Sequence, residues 1–283
     1  MHCVERLDRP DAVPLGLATG VIYHPSAIGR LEKATGKLEE RFFGGHSAEP
    51  EHMQRWNTAA TEVVRALRQP ESKTYRQTIQ RADEILREVQ ADGFAHLSDT
   101  SPLGFDQRLA RVGERLLDVV AAQEKGSDPI YAKHPAGRSG KWGLTPFPEL
   151  VNAHQAVRRH DLATREVRRL ERVDMALRLV RWQARRQKQP PTDPKSFAEA
   201  ADNYLREGGF IDWARLSLRS GDPVRELSEA YAHLFDRVTE VRQQQSRTFG
   251  KLLADWTAAG SHGDDMISVE RVLEEVIAPL AEK

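Results

Sequence analysis

The chain has 283 residues, 39% hydrophobic and 30% charged, enough for one large or two ordinary domains, with the polar balance of long helices that keep broad solvated faces. Lysine plus arginine (42) equals aspartate plus glutamate (42), so no global field draws it to nucleic acid or an anionic membrane, and any electrostatic function must be local. The single cysteine, Cys3, excludes an internal disulfide and favours a reducing compartment; with no membrane-length apolar run and no leader pattern, a cytoplasmic location is expected.

Apolar residues recur three and four apart and seldom alternate, which predicts an all-α fold, an irregular multi-helix bundle in two helical halves joined by a Gly/Pro-rich loop. Residues 12–23, AVPLGLATGVIY, form a small-residue apolar stretch too short for periodicity to separate helix from strand; helix is the preferred reading. Ser26 is expected to cap a helix running through Leu31 and Leu38 to Phe42, with the Gly44–Gly45 pair as its left-handed exit. A second helix should run from Glu49 through Trp56, Val63 and Leu67 until Pro70 stops it. A third covers Lys73 to Gln90, with Ile79, Ile85, Leu86 and Val89 inward. The loop SDTSPLGFDQRL then feeds a helix whose Phe105, Leu109, Val112, Leu116 and Val119 form one stripe.

Residues 125–148 hold four prolines and four glycines, far more than an ordinary connection needs. They are expected to join an N-terminal helical subdomain, 12–124, to a C-terminal one, 149–283. The second half should open with one long helix from Pro148 to Gln187, with Leu170, Val173, Leu177 and Val180 on its buried face. Asp193–Pro194 has the form of a cap and first turn for a helix carrying Phe197, Ala201 and Tyr204, and Gly208–Gly209 its end. A short helix with Phe210, Trp213 and Leu216 follows, leaving at Ser220–Gly221. From Asp222–Pro223, the residues Val224, Leu227, Tyr231, Leu234, Val238 and Val241 make a heptad seam that fades at Gln245 and Thr248, which predicts an antiparallel intramolecular hairpin. A last helix, Ser268 to Ala278, should turn Val269, Val272, Leu273 and Val276 inward and close at Pro279. Trp182, Trp213 and Trp256 are read as packing anchors.

The densest chemical feature is basic. Residues 151–190 contain ten arginines and one lysine against four acids. Arg165, Arg168, Arg172 and Arg186 fall opposite the Leu170 stripe and are the candidate anion or nucleic-acid contacts, while Arg178, Arg181 and Arg185 flank it. The competing reading is a solvated face or salt-bridge layer, with Glu166, Glu171 and Asp174 as partners at helical spacing. His154 and His160 lie on different helical faces without a metal-binding arrangement, and His24, His46, His52, His96, His134 and His262 are placed in loops or near helix ends. Gly36–Lys37 and Gly140–Lys141 lack the rest of a phosphate loop, no GxSxG elbow exists, and Asp264–Asp265 read as turn residues. No catalytic, cofactor-binding or metal residue is therefore expected.

Several strings in order carry a family resemblance: PLGLATGVIYHP at 14–25, GRLEKATGKLEERFFGG at 29–45, RADEIL at 81–86, LSDTSPLGFDQRLARVGERL at 97–116, VDMALRLVRW at 173–182, GGFIDWARLSLRSGDPV at 208–224, FGKLLADWTAAG at 249–260 and VERVLEEVIAPLA at 269–281. Together they resemble the central helical region of the PglZ family of type 2 BREX phage-defence systems. In that family the stretch similar to VIAPLA leads into a metal-dependent phosphatase domain, whose opening strand would lie beyond Lys283. The resemblance thus implies a middle piece or truncated product with no catalytic residue to carry over. It makes a non-catalytic scaffold or interaction module the first expectation, with a separate phosphatase domain or other defence proteins as partners. The alternative is a stand-alone nucleic-acid-binding protein using the basic helix around 158–188.

Overall fold

The computed structural model describes residues 11–67, 72–125, 146–260, 267 and 269–281. Every regular element among these is helical and none is a strand. The α-helices are α1 (Ala12–Ile22), α2 (Glu32–Phe42), α3 (Pro50–Ala66), α4 (Lys73–Glu88), α5 (Pro102–Glu124), α6 (Pro146–Arg159), α7 (Val167–Lys188), α8 (Phe197–Asn203), α9 (Gly209–Leu218), α10 (Arg225–Ala258) and α11 (Ala278–Ala281). The fold is all-α. Two compact units emerge, each discontinuous in sequence. The first comprises the described residues within Met1–Leu116, Pro146–Leu170 and Asp222–Leu227, and the second those within Leu117–Thr145, Glu171–Gly221 and Ser228–Lys283. Most of the 125–148 stretch lies outside the described residues, as does Pro70.

In the first unit α1 is buried on nearly every side, from Pro14 through Ile22. A helix satisfies its own backbone groups, which a lone buried strand cannot do, so this apolar stretch is helical although it lacks an amphipathic pattern. Its two glycines set the spacing to α3: a Cβ at Gly16 would lie 2.7 Å from the Ala60 Cβ, and one at Gly20 would meet the Asn57 side chain. Leu15, Ala18, Val21 and Ile22 join Leu38 and Phe42 of α2 and Ile85 and Leu86 of α4 in one core, while Leu17 packs with Ala60, Val64, Tyr75 and Ile79. Buried Leu and Ile side chains of this kind each contribute about 2 kcal/mol. At the start of α1 the buried Asp11 carboxylate accepts from Arg81 of α4 at 3.1–3.3 Å, and Arg81 also reaches Glu88 at 2.8 Å.

Two local expectations are corrected in this unit. Ser26 does not cap α2. It sits in a 3-10 turn, Pro25–Ala27, its N–H bonded to His24 Nδ1, and Gly29 at φ 75° turns the chain before α2 begins at Glu32. The exit of α2 is as expected, with Gly44 and Gly45 at φ 64° and 81°. The expected helix from Pro148 to Gln187 is two helices, broken by a 3-10 turn at Asp161–Thr164. The cause is the buried His160 ring: Nδ1 accepts the Leu162 N–H at 3.1 Å, a donor that a continuing helix would give to the Arg158 carbonyl, and Nε2 donates to the Ser101 carbonyl at 3.1 Å. Arg169 is tied down within this unit. It holds the fully buried Asp222 carboxylate at 2.6 and 2.9 Å and Asp106 at 3.0 Å, while Asp222 also accepts the Val224 N–H.

In the second unit, α8 is capped by Ser196, not by Asp193–Pro194. Ser196 Oγ accepts the Glu199 N–H, a cap that stabilises a helix start by about 1 kcal/mol, and the Glu199 carboxylate accepts the N–H of Lys195, just before the cap. Gly208 and Gly209 do not end the helix either, since both keep helical φ (−59° and −62°) and a π turn, Tyr204–Gly208, runs directly into α9. The glycine at 208 serves close packing: a Cβ there would lie 2.8 Å from the Tyr204 ring and 3.2 Å from the Arg242 guanidinium. Ala230, Tyr231, Leu234 and Val238 of α10 are buried, and the seam stops at a half-buried Val241. Asp212 pairs with Arg242 and Arg215 with Thr239, so α9 and α10 run antiparallel. In the last segment Val269 and Leu273 are exposed and Val272 and Val276 only half-buried, contrary to the inward face expected. Pro279 lies in α11, which continues directly from a π turn at Leu273–Ile277, and so does not close the helix.

Two outcomes follow for stability. Gly16→Ala pushes a Cβ into the α3 backbone-fixed Ala60 methyl, and chemical denaturation should show a loss of about 1–3 kcal/mol. The His160 pKa is pushed from 6.5 down to about 4, mainly by burial and then by the Arg108 charge. The unfolded chain therefore binds a proton that the folded one refuses between these values, and stability falls as pH drops from 6.5 towards 4, by roughly 3 kcal/mol from this group. His160→Gln should flatten that part of the pH–stability curve relative to the parent.

Candidate functional site

In the second unit the end of α7, the loop before α8, the π turn and α10 enclose a cleft of about 890 Å3. Arg242 forms part of its wall. This side chain is 9% exposed, its Nε and one terminal nitrogen donate to the Asp212 carboxylate at 3.0 and 2.9 Å, and its guanidinium lies 5.6 Å from the Tyr204 ring centre. Arg186 lines the same cleft and sits 5.1 Å from the Trp182 ring, with no hydrogen-bonded or ion-paired partner among the described residues. Burial, then the neighbouring Arg242 and Arg185 charges, holds its pKa below the usual arginine range against the pull of Glu207 and Asp193. The Trp182 indole is itself buried, and its N–H has no partner among the described residues. Phe197 and Trp256 pack at 4.9 Å, joining α8 to the end of α10.

The other face of this helical pair is apolar and open. On α9 the buried side is Ile211, Ala214 and Leu218, yet Phe210, Trp213 and Leu216 on a different side are 37%, 58% and 50% exposed, and Leu205 in the π turn is 81% exposed. Phe210 and Trp213 meet edge to face at 5.8 Å, and Arg178 lies 5.6 Å from the Phe210 ring. Of the three tryptophans read as anchors, Trp182 is buried and Trp256 packed, whereas Trp213 presents its ring to solvent. A helix with apolar residues on two faces, of which the 211, 214 and 218 face is buried, leaves the second face over, a signal present in the spacing of 210, 213 and 216 against 211, 214 and 218.

The four arginines singled out from the sequence have separate surroundings. Arg165 stands in the turn before α7, its guanidinium 5.0 Å from the Tyr75 ring centre; Arg168 is exposed, Arg172 half-buried and Arg186 in the cleft. Arg165 and Arg168 belong to the first unit and Arg172 and Arg186 to the second. Arg172 and Arg186 are about 21 Å apart along α7 at 1.5 Å per residue. Neighbouring basic residues serve internal contacts: Arg169 with Asp222 and Asp106, and Arg185 with Glu207. Among the described residues no group of three or more His, Cys, Asp or Glu is placed to hold a metal ion, and no helix is long and apolar enough to cross a membrane.

The Arg242–Asp212 pair gives a clear comparison. Arg242→Ala removes a bidentate pair from a half-buried carboxylate that keeps Arg215 at 3.5 Å, and should cost about 2 kcal/mol in denaturant unfolding, whereas Arg206→Ala, which removes an exposed pair with Asp202, should cost at most about 0.5 kcal/mol.

No curated protein and no solved structure matches the chain. A family model described as the BREX system PglZ second domain matches residues 1–100, the stretch that includes α1 to α4 and the 3-10 turn at Asp92–Leu97. Over its first hundred residues the chain is thus similar to the second domain of BREX-system PglZ proteins.

Proposed function

We propose that this chain is a non-catalytic helical interaction module of a PglZ-type phage-defence protein, working in the cytoplasm and holding another domain of such a protein through the open face of α9. The observation that carries this reading is the exposed Phe210–Trp213–Leu216 stripe, extended by Leu205 and flanked by Arg178, on a helix whose opposite side is already packed. Tryptophan with an adjacent arginine is the composition of interface hot spots, and burying such a stripe removes apolar area worth about 25 cal/mol per Å2. A second domain implies companions in the same protein, and one of these, including a phosphatase domain, is the partner to which the reading commits.

The test is to mix the purified chain with the remaining domains of a PglZ-type protein and follow co-elution. Trp213→Glu should weaken association about 30-fold or more, in line with a hot-spot tryptophan, while leaving the melting temperature unchanged. Absence of co-elution, or co-elution indifferent to this change, contradicts the reading. Tight DNA binding that falls steeply with salt and depends on Arg165, Arg168, Arg172 or Arg186 would favour the nucleic-acid alternative instead. With divalent metal present, phosphomonoester hydrolysis should stay at the uncatalysed rate; turnover lost on changing one of the chain's own His or Asp residues would contradict a non-catalytic role.

A further inference from the structure

A second cleft, of about 800 Å3, lies in the first unit, lined by the turn at His96–Leu97, by α5 and by α6. Arg108, Arg111 and Arg115 recur at helical spacing along one side of α5, and Arg159 comes from the last turn of α6. These four cations do not have equal freedom. Arg108 is buried and makes four hydrogen bonds: Nε donates to the His96 carbonyl at 2.8 Å, and the terminal nitrogens reach the Ala156 carbonyl at 2.8 Å, the Ser98 carbonyl at 3.1 Å and the Asp99 carboxylate at 2.8 Å. Arg115 pairs with Glu149 at 3.2 Å. Arg111 and Arg159 are exposed and have no hydrogen-bonded or ion-paired partner among the described residues.

The two carboxylates that line the cleft, Asp99 and Glu149, are therefore engaged by Arg108 and Arg115, and two guanidinium charges are left without a counter-charge. A further donor faces the same space. His24 Nδ1 accepts the Ser26 N–H at 3.1 Å, so the neutral ring carries its proton on Nε2. The field in the cleft is felt by His96, stacked on Phe94, whose pKa is held below the ordinary value by burial and then by the positive charges of Arg111 and Arg108.

We infer that this cleft binds a phosphate monoester on a small molecule, with Arg111 and Arg159 as the charged ligands and His24 Nε2 as a further donor. Two uncompensated guanidiniums match a dianion; a monocarboxylate would neutralise only one. Guanidinium donors suit the phosphate oxygens, and the volume accommodates a nucleotide-sized ligand. The site is independent of the α9 face, and its failure leaves that reading untouched.

Titration calorimetry on the purified chain at low salt, with adenosine monophosphate as probe, inorganic phosphate as competitor and acetate as control, tests the inference. Saturable binding of the monophosphate, competed by phosphate and not by acetate, is expected. Arg111→Gln and Arg159→Gln should each weaken it at least 10-fold, with circular dichroism unchanged because both side chains are exposed. The His96 ring resonances should titrate at higher pH once the site is filled, a shift that loss of a merely structural contact would not give. No saturable binding, or variants that bind like the parent, overturns the inference. Tighter binding of a single-stranded oligonucleotide through the same two arginines overturns it too, in favour of a polyanion track.

Discussion

The close approach of α1 to α3 at Gly16 and Gly20 is the constraint on which the first unit depends. A helix apolar on all sides has no solvent face, so it must be enclosed, and the absence of side chains at these two positions lets α3 come near enough to close one side. The opposite sides are then taken by α2 and α4, whose amphipathic faces converge on Leu15, Val21 and Ile22. The Asp11–Arg81 pair fixes where α1 starts relative to α4. A buried, paired carboxylate of this kind acts more through register than through net stability, since the desolvation of both charges offsets much of their attraction.

Arginine is the recurrent fastener. Arg108 gathers three backbone carbonyls and Asp99, Arg169 holds Asp222 and Asp106, and Arg242 holds Asp212, each using the planar fork of the guanidinium to meet several acceptors at once. Against this background the exposed side chains that serve no fastening role gain meaning. Arg111 and Arg159 stand in a cleft where the other cations are engaged, and Phe210 and Trp213 stand on a helix whose core side is complete. Residues 1–100 are similar to the second domain of BREX-system PglZ proteins, and the proposal for the apolar face takes its partner from that similarity.

The all-helical architecture was legible because spacing of three and four dominates the chain, and the α5 stripe from Phe105 to Val119 and the α7 stripe from Leu170 to Val180 are buried as their spacing requires. Local breaks were harder to read. The interruption at His160 depends on a carbonyl at Ser101, 59 residues away, and the uninterrupted passage through Gly208 depends on Arg242, so neither has a local sign. Grouping of residues 146–170 and 222–227 with the first unit rests on similarly distant ties, Arg65 with Asp161 and Arg169 with Asp222. The open α9 face was visible as apolar residues but not as a surface, because periodicity says which residues share a face and not how many faces find a partner. The α5 arginine row was also in plain view at 108, 111 and 115. It was overshadowed by the denser basic run in 151–190, much of whose charge serves internal contacts.

The most direct test of the interaction reading is hydrogen–deuterium exchange on this chain alone and mixed with the other domains of a PglZ-type protein. The account predicts new protection concentrated on residues 205–216, with α1 to α4 unchanged because they are already enclosed. Unchanged exchange across 205–216, or protection that appears on another surface, would contradict it.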